Sequence, residues 1–176
     1  MEYMKTVAQL IEEFFQQEGW KYDVPKREEE RIIFAASLNM GNILGRLRIF
    51  ILLRKDYYVV NTILNNAAEE DRRTQVGEYL HRANYAMSNG NFEFDYDDGE
   101  VKYKTYVNFD GGVNLSPQVI EDSMLVSIFM FEKYGKNLLK LMLEPGNPKQ
   151  LIEEAERSYD EEMRQNTPGE DTTSLS

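Results

Sequence analysis

Apolar residues recur at three- and four-residue spacing from the start of the chain. Val7, Leu10, Ile11, Phe14 and Phe15 mark one face of a helix running from about Tyr3 to Glu18, with Gly19 as its C-terminal cap. Trp20 and Tyr22 predict a short extended segment, and Pro25 with the charged run Lys26–Arg31 predicts a turn or exposed connection. Three strands follow. Ile32–Leu38 is nearly all apolar or small and reads as buried on both faces. Asn39-Met40-Gly41-Asn42 supplies turn chemistry. In Gly45–Lys55, Leu47, Ile49, Ile51 and Leu53 share one face, while Arg46, Arg48 and Arg54 share the other with Phe50 and Leu52. Tyr57–Leu64 is rich in aromatic and β-branched residues, and the order predicts an antiparallel meander.

The second half alternates the two periods. Val76, Tyr79, Leu80, Ala83 and Met87 predict a helix from around Glu70 to Ser88, ended by Asn89-Gly90. Asp98-Gly99 between Phe92–Tyr96 and Val101–Thr105 predicts a hairpin with a two-residue loop. That register puts Phe92, Phe94 and Tyr96 on one face with Val101, Tyr103 and Thr105, and sets Asp95 against Lys102 and Glu93 against Lys104. Asp110-Gly111-Gly112 reads as a turn, and Ser116-Pro117 opens a very apolar helix to Tyr134. Gly135 predicts a break before another helical turn or two over Asn137–Leu143. Pro145 to Pro148 interrupts again. A polar helix from Pro148 to Arg164 docks through Leu151, Ile152, Ala155, Tyr159 and Met163, and residues 166–176 read as disordered.

Charge sharpens this picture. The chain carries 31 acids against 20 Lys and Arg, a formal net charge of -11. Nine acids and three bases fall in residues 144–176, so the core-forming part is much closer to neutral. The balance argues against a general nucleic-acid backbone binder. With no cysteine, thiol chemistry and cysteine-ligated metals are excluded. The N-terminus has no signal-peptide pattern and no segment is apolar enough to span a bilayer, so a cytoplasmic protein away from membranes is expected.

Candidate chemistry is sparse. Asp95, Asp97, Asp98 and Glu100 form an acidic cluster, but Gly99 falls where a calcium loop needs its third ligand, and strand alternation separates the carboxylates. His81 lies beside its helix stripe without a spaced partner for acid–base work. Arg46, Arg48 and Arg54, with Arg72 and Arg73, could hold an acidic peptide or a phosphate, against the alternative of a solvated sheet rim. Phosphate-loop and dinucleotide fingerprints are absent. No cofactor, catalytic residue or metal ligand is expected. Sheet edges and an uncovered sheet face are expected instead to meet another polypeptide, with Trp20, Arg46, Arg48, Phe50, Tyr57, Tyr58 and Tyr106 as candidate contact residues.

The order helix, three strands, helix, hairpin, helix resembles the YbjN family of small bacterial proteins over residues 3–143. The resemblance rests on the first helix ending in Gly19-Trp20, the strands up to Leu64, the helix ending in Asn84, and the run from Gly90-Asn91-Phe92-Glu93-Phe94 to Asp98-Gly99-Glu100-Val101. Ser116-Pro117 and its apolar helix also fit. That family is described as a sensory transduction regulator. The resemblance implies a fold like type III secretion chaperones: a curved antiparallel sheet with helices on one side, assembled as dimers, binding protein rather than catalysing. The acidic extension and the Ile- and Leu-rich second strand depart from it.

The expectation is therefore an α+β protein, in the order α-β-β-β-α-β-β-α, with about five strands packed against helices. Residues 1–143 form the domain, 144–165 an acidic helical extension and 166–176 a disordered tail. The expected function is a non-enzymatic protein-binding adaptor or chaperone-like regulator, as a homodimer; the alternative is a small-molecule or ion-responsive sensor.

Overall fold

The structure is a computed structural model that describes residues 2–85, 87–111 and 115–166. Gly112, the side chain of Met163, and the expected tail beyond Asn166 lie outside the described residues. The chain runs α1 (Glu2–Gln17), β1 (Tyr22–Glu28), β2 (Arg31–Asn39), β3 (Arg46–Leu53), β4 (Tyr57–Leu64), α2 (Arg73–Asn84), β5 (Asn91–Phe94), β6 (Val101–Asn108), α3 (Pro117–Leu143) and α4 (Pro148–Asn166). The strands form one antiparallel sheet in the order β1-β2-β3-β4-β6-β5. This is an α+β fold with a sheet packed against helices.

The sheet has six strands rather than about five, because the charged run after Pro25 belongs to β1. An edge strand can hold Pro25, since one side of its backbone needs no partner. The register slips between Asp23 and Lys26, a bulge that absorbs the proline. Inward, Tyr22 stacks on Phe15 at 4.7 Å, and Arg27 bonds Glu12 of α1. Charge thus serves as edge chemistry in a real strand.

One face of the sheet is the core wall. Phe34, Leu47, Ile49, Ile51, Leu53, Tyr58, Val60 and Tyr103 are all essentially inaccessible. Burying each aliphatic side chain of this kind stabilises by about 1.5–3 kcal/mol. On β2 only Ile32, Phe34 and Ala36 are buried, while Ile33 and Ala35 are half-open, so that strand is covered on one face rather than two.

α3 closes the core. It is a single helix from Pro117 to Leu143, capped by the Ser116 hydroxyl, which accepts from Val119 N. Gly135 does not break it. A β-carbon there would lie 2.5 Å from Leu44 Cδ2, so the glycine permits close approach of the β2–β3 turn. Two hydroxyl pairs join α3 to β4: Tyr58 Oη to Ser123 Oγ at 2.8 Å, and Thr62 Oγ1 to Ser127 Oγ at 2.7 Å. Burial, partly offset by the Ser123 bond, pushes the Tyr58 phenol up to about 12.

The hairpin keeps the expected faces but not the expected register. Phe94 pairs with Val101 and Glu93 with Lys102, two residues from the two-residue-loop pairing. The shift of two preserves the side-chain alternation. The loop is longer because it is docked: Ala68 N donates to Gly99 O at 2.9 Å, and Arg73 donates to the carbonyls of Ala68, Tyr96 and Asp97. Tyr96 consequently leaves the inner aromatic row and lies exposed against Phe94. α4 packs on α2 and α3 through Leu151, Ile152 and Ala155.

Candidate functional site

The four α-helices among the described residues lie on the core side of the sheet, so no described element covers the other face. Its middle is apolar. Leu52 of β3 stands between Ile33 of β2 and Val59 of β4, and Val59 stands beside Tyr106 of β6. One pleat along, Phe50 stands between Ala35 and Asn61. Tyr57 and Tyr106 have ring centroids 5.4 Å apart, and Tyr106 is 55% exposed. The small outward side chains Ala35 and Ser37 leave a depression of about 690 Å³ between Asp23 of β1 and Phe50 of β3, with Arg46 and Arg48 along it.

Cations bracket this apolar strip. Along β3 the outward positions run Arg46, Arg48, Phe50, Leu52, with Arg54 just past the strand end. Arg31 of β2 takes the next register position after Ile32 and Leu53, which sets it across from Arg54, with Glu28 of β1 as its register partner on the other side. Like charges directly opposite in a sheet repel. Among the described residues Arg31, Arg46 and Arg54 have no ion pair, while Arg48 reaches Glu100 at 3.6 Å. The Nε atoms of Arg31, Arg48 and Arg54 are buried without a hydrogen-bond acceptor. Lys26, Lys102 and Lys104 of this face are engaged with Glu28 and Glu93, while Lys21 lines the depression. Burial alone would raise the Glu93 carboxyl, but Lys104 and Lys102 outweigh it and hold it below the usual range. The result is a cationic, half-apolar sheet face on a chain of net charge -11.

Both sheet edges are occupied or disguised. At β5 the Asn84 side chain bonds both backbone groups of Phe92: Nδ2 donates to Phe92 O at 2.9 Å, and Phe92 N donates to Oδ1 at 2.7 Å. At the other edge β1 carries Pro25, a bulge and charges of both signs. Edge pairing is therefore restricted at Phe92 and at the β1 bulge, and the outer face is the wider surface that no described element covers.

The expected contact residues separate accordingly. Arg46, Arg48, Phe50, Tyr57 and Tyr106 all lie on the open face. Tyr58 does not; it is fully buried on the core side and bonded to Ser123, because strand alternation turns it opposite to Tyr57. Trp20 is half-buried against Phe14 at 5.4 Å, on the α1 side. Arg73 is spent on loop carbonyls and Arg72 lies 3.3 Å from Asp71, which removes both from an anion site. Arg31 and Ile33 were missed as face residues. Extending β2 back by one residue would have found Arg31, and reading it as covered on one face only would have found Ile33.

Other clusters offer less. Asp95 and Asp98 accept from the backbone N–H groups of Asp97 and Glu100, so these carboxylates hold their own loop. Among the described residues no group of three or more His, Asp or Glu is placed to hold a metal ion. His81 lies in a groove of about 480 Å³ between α2 and α4 with Glu78, Glu153 and Glu156. All four are exposed, Glu78 is bonded to Arg82, and Lys149 neighbours Glu153. No serine or threonine stands in that groove as a nucleophile. No helix among the described residues is long and apolar enough to cross a membrane. No family model matches this chain, and no curated protein matches it either.

Proposed function

We propose that this protein is a non-enzymatic adaptor or chaperone-like regulator that docks a polypeptide on the open face of its sheet. One observation carries the reading: an apolar strip of half-buried Ile33, Phe50, Leu52 and Val59 is framed by arginines, with no described element over it. Contiguous apolar surface rimmed by polar groups marks interaction sites. A sheet with helices on one side is compatible with the type III secretion chaperone resemblance and with the YbjN element order, with β1 inserted here after the first helix. A second copy is the weaker occupant for this face. Facing sheets would oppose Arg31, Arg46 and Arg54 to cations of the same kind.

A photo-crosslinking residue at position 50, compared with one at the exposed Gln16 of α1, tests the reading in the native cell. The expected result is a discrete adduct from position 50 alone, identified by mass spectrometry and rebinding as a purified protein. Equal labelling from both positions, or none from position 50, overturns it.

A further inference from the structure

The face itself restricts what can lie on it. Resting on that docking reading, we infer that the occupant is an amphipathic helix with acidic residues bracketing an apolar stripe. Backbone N–H and C=O groups in the middle of a sheet are consumed by the ladder, so the face offers a partner no backbone bonds. An extended segment pressed there would desolvate its own peptide groups without compensation. Such segments normally bind at edges, and Asn84 and the β1 bulge obstruct both. A helix satisfies its own backbone and buries a stripe against a sheet, as α3 already does on the opposite side.

Charge and spacing define the stripe. Arg46 and Arg48 stand at one end of the apolar strip, Arg31 and Arg54 at the other. Arg48 and Arg54 are six positions apart along β3, which spans about 20 Å at strand rise. A helix covers that length in about 13 residues. Carboxylates at its two ends would meet Arg46 beside the Glu100-paired Arg48 and the arginines Arg31 and Arg54, relieving the Arg31–Arg54 repulsion as bidentate partners that guanidinium favours. Leu or Ile at i, i+3, i+4 and i+7 between them would lie on Phe50 and Leu52, with a side chain entering the depression beside Ala35 and Ser37. The chain's own acidic helix α4 does not qualify, since Leu151, Ile152 and Ala155 are already buried.

Fluorescence anisotropy with the full chain tests this. The probe is a labelled 16-residue peptide with a leucine stripe between paired glutamates. Comparators replace Glu by Gln, place a proline mid-stripe, or replace Glu by Lys; a single-stranded 12-nucleotide DNA is the macromolecular control. The Gln and proline peptides should each bind at least tenfold more weakly than the Glu peptide, and the DNA should not bind. Arg31→Glu with Arg54→Glu should weaken the Glu peptide at least tenfold and favour the Lys peptide; Lys140→Glu on α3 should change nothing. The single exposed variant Arg46→Glu, expected to weaken binding about threefold, serves if the double variant fails to fold. Equal binding of the Glu and Gln peptides, equal binding of the proline peptide, no peptide binding, or tighter DNA binding each overturns the inference. Adduct formation at position 50 separates the two failures: if it persists, the docking reading stands without the acidic helix.

Discussion

Asn84 ends α2 by standing in for a sheet neighbour: its side-chain amide exchanges two hydrogen bonds with the backbone of Phe92 on the edge strand β5. Phe92 itself is buried and packs edge-to-face on Phe131 at 5.4 Å, so the amide anchors a core residue while closing the edge. Asn84→Ala leaves Phe92 N without this acceptor, whereas Phe92 O keeps a bond from Asn91. The expected loss is about 1–2 kcal/mol of unfolding free energy, the cost of one unsatisfied half-buried group. Urea denaturation measures it. Sedimentation should also show more concentration-dependent association than for the parent, because the exposed edge becomes a template.

The Tyr58–Ser123 pair should respond asymmetrically. Ser123 Oγ also bonds Ile120 O, so Tyr58→Phe leaves the serine satisfied. Ser123→Ala leaves the buried Tyr58 hydroxyl with no partner. We expect about 0.5–1.5 kcal/mol for the first change and about 1–3 kcal/mol for the second, with the double variant below their sum. A double-mutant cycle by chemical denaturation checks the order.

Stability should fall in alkali. Burial pushes the phenols of Tyr58, Tyr103 and Tyr134 up to about 12, with the Glu156 charge adding to the effect at Tyr134. Burial pushes Tyr79 up as well, its hydroxyl donating to Tyr134 O. Unfolded tyrosine titrates near about 10. Above that pH the unfolded chain releases protons that the folded chain retains. The stabilisation is therefore complete below about pH 10 and is lost as pH rises toward about 12. Tyr58→Phe should make the decline shallower between those values. Denaturation midpoints from pH 8 to 11.5 give the slope.

Two glycines should tolerate alanine very differently. Gly99 has φ +78°, and a β-carbon there would lie 2.1 Å from the Ala68 carbonyl oxygen, so both the conformation and the backbone contact oppose it. Gly99→Ala is expected to cost at least about 2 kcal/mol. A β-carbon at Gly77 meets only the tip of Tyr96, which is exposed and can swing away. Alanine also favours the helix there, so Gly77→Ala should stay within about 1 kcal/mol of the parent. Thermal unfolding ranks the pair.

Much of the fold was legible because periods were strong. Leu47, Ile49, Ile51 and Leu53 left no choice of face, and Ser116-Pro117 marked the start of α3. The failures share a cause: tertiary contact overrode a local signal. Gly135 reads as a stop until Leu44 is seen against it. Asp98-Gly99 reads as a two-residue turn until Ala68 and Arg73 hold the loop open. Pro25 amid charges reads as a connection until the strand is known to be an edge. For the candidate site, alternation placed Arg46, Arg48 and Phe50 together on one face. The same alternation should have excluded Tyr58 once Tyr57 was placed there. The Arg31–Arg54 juxtaposition was not legible, because it depends on the β2–β3 register, which the Asn39–Gly45 turn sets.

The most direct measurement is a calorimetric titration of the partner recovered from position 50 into the parent protein and into Phe50→Glu. Phe50 is half-buried and outside the core, so the variant should unfold at nearly the parent's midpoint. Affinity weakened at least tenfold, with that midpoint kept, is the outcome expected of a docking face. Equal affinities for parent and variant would contradict it.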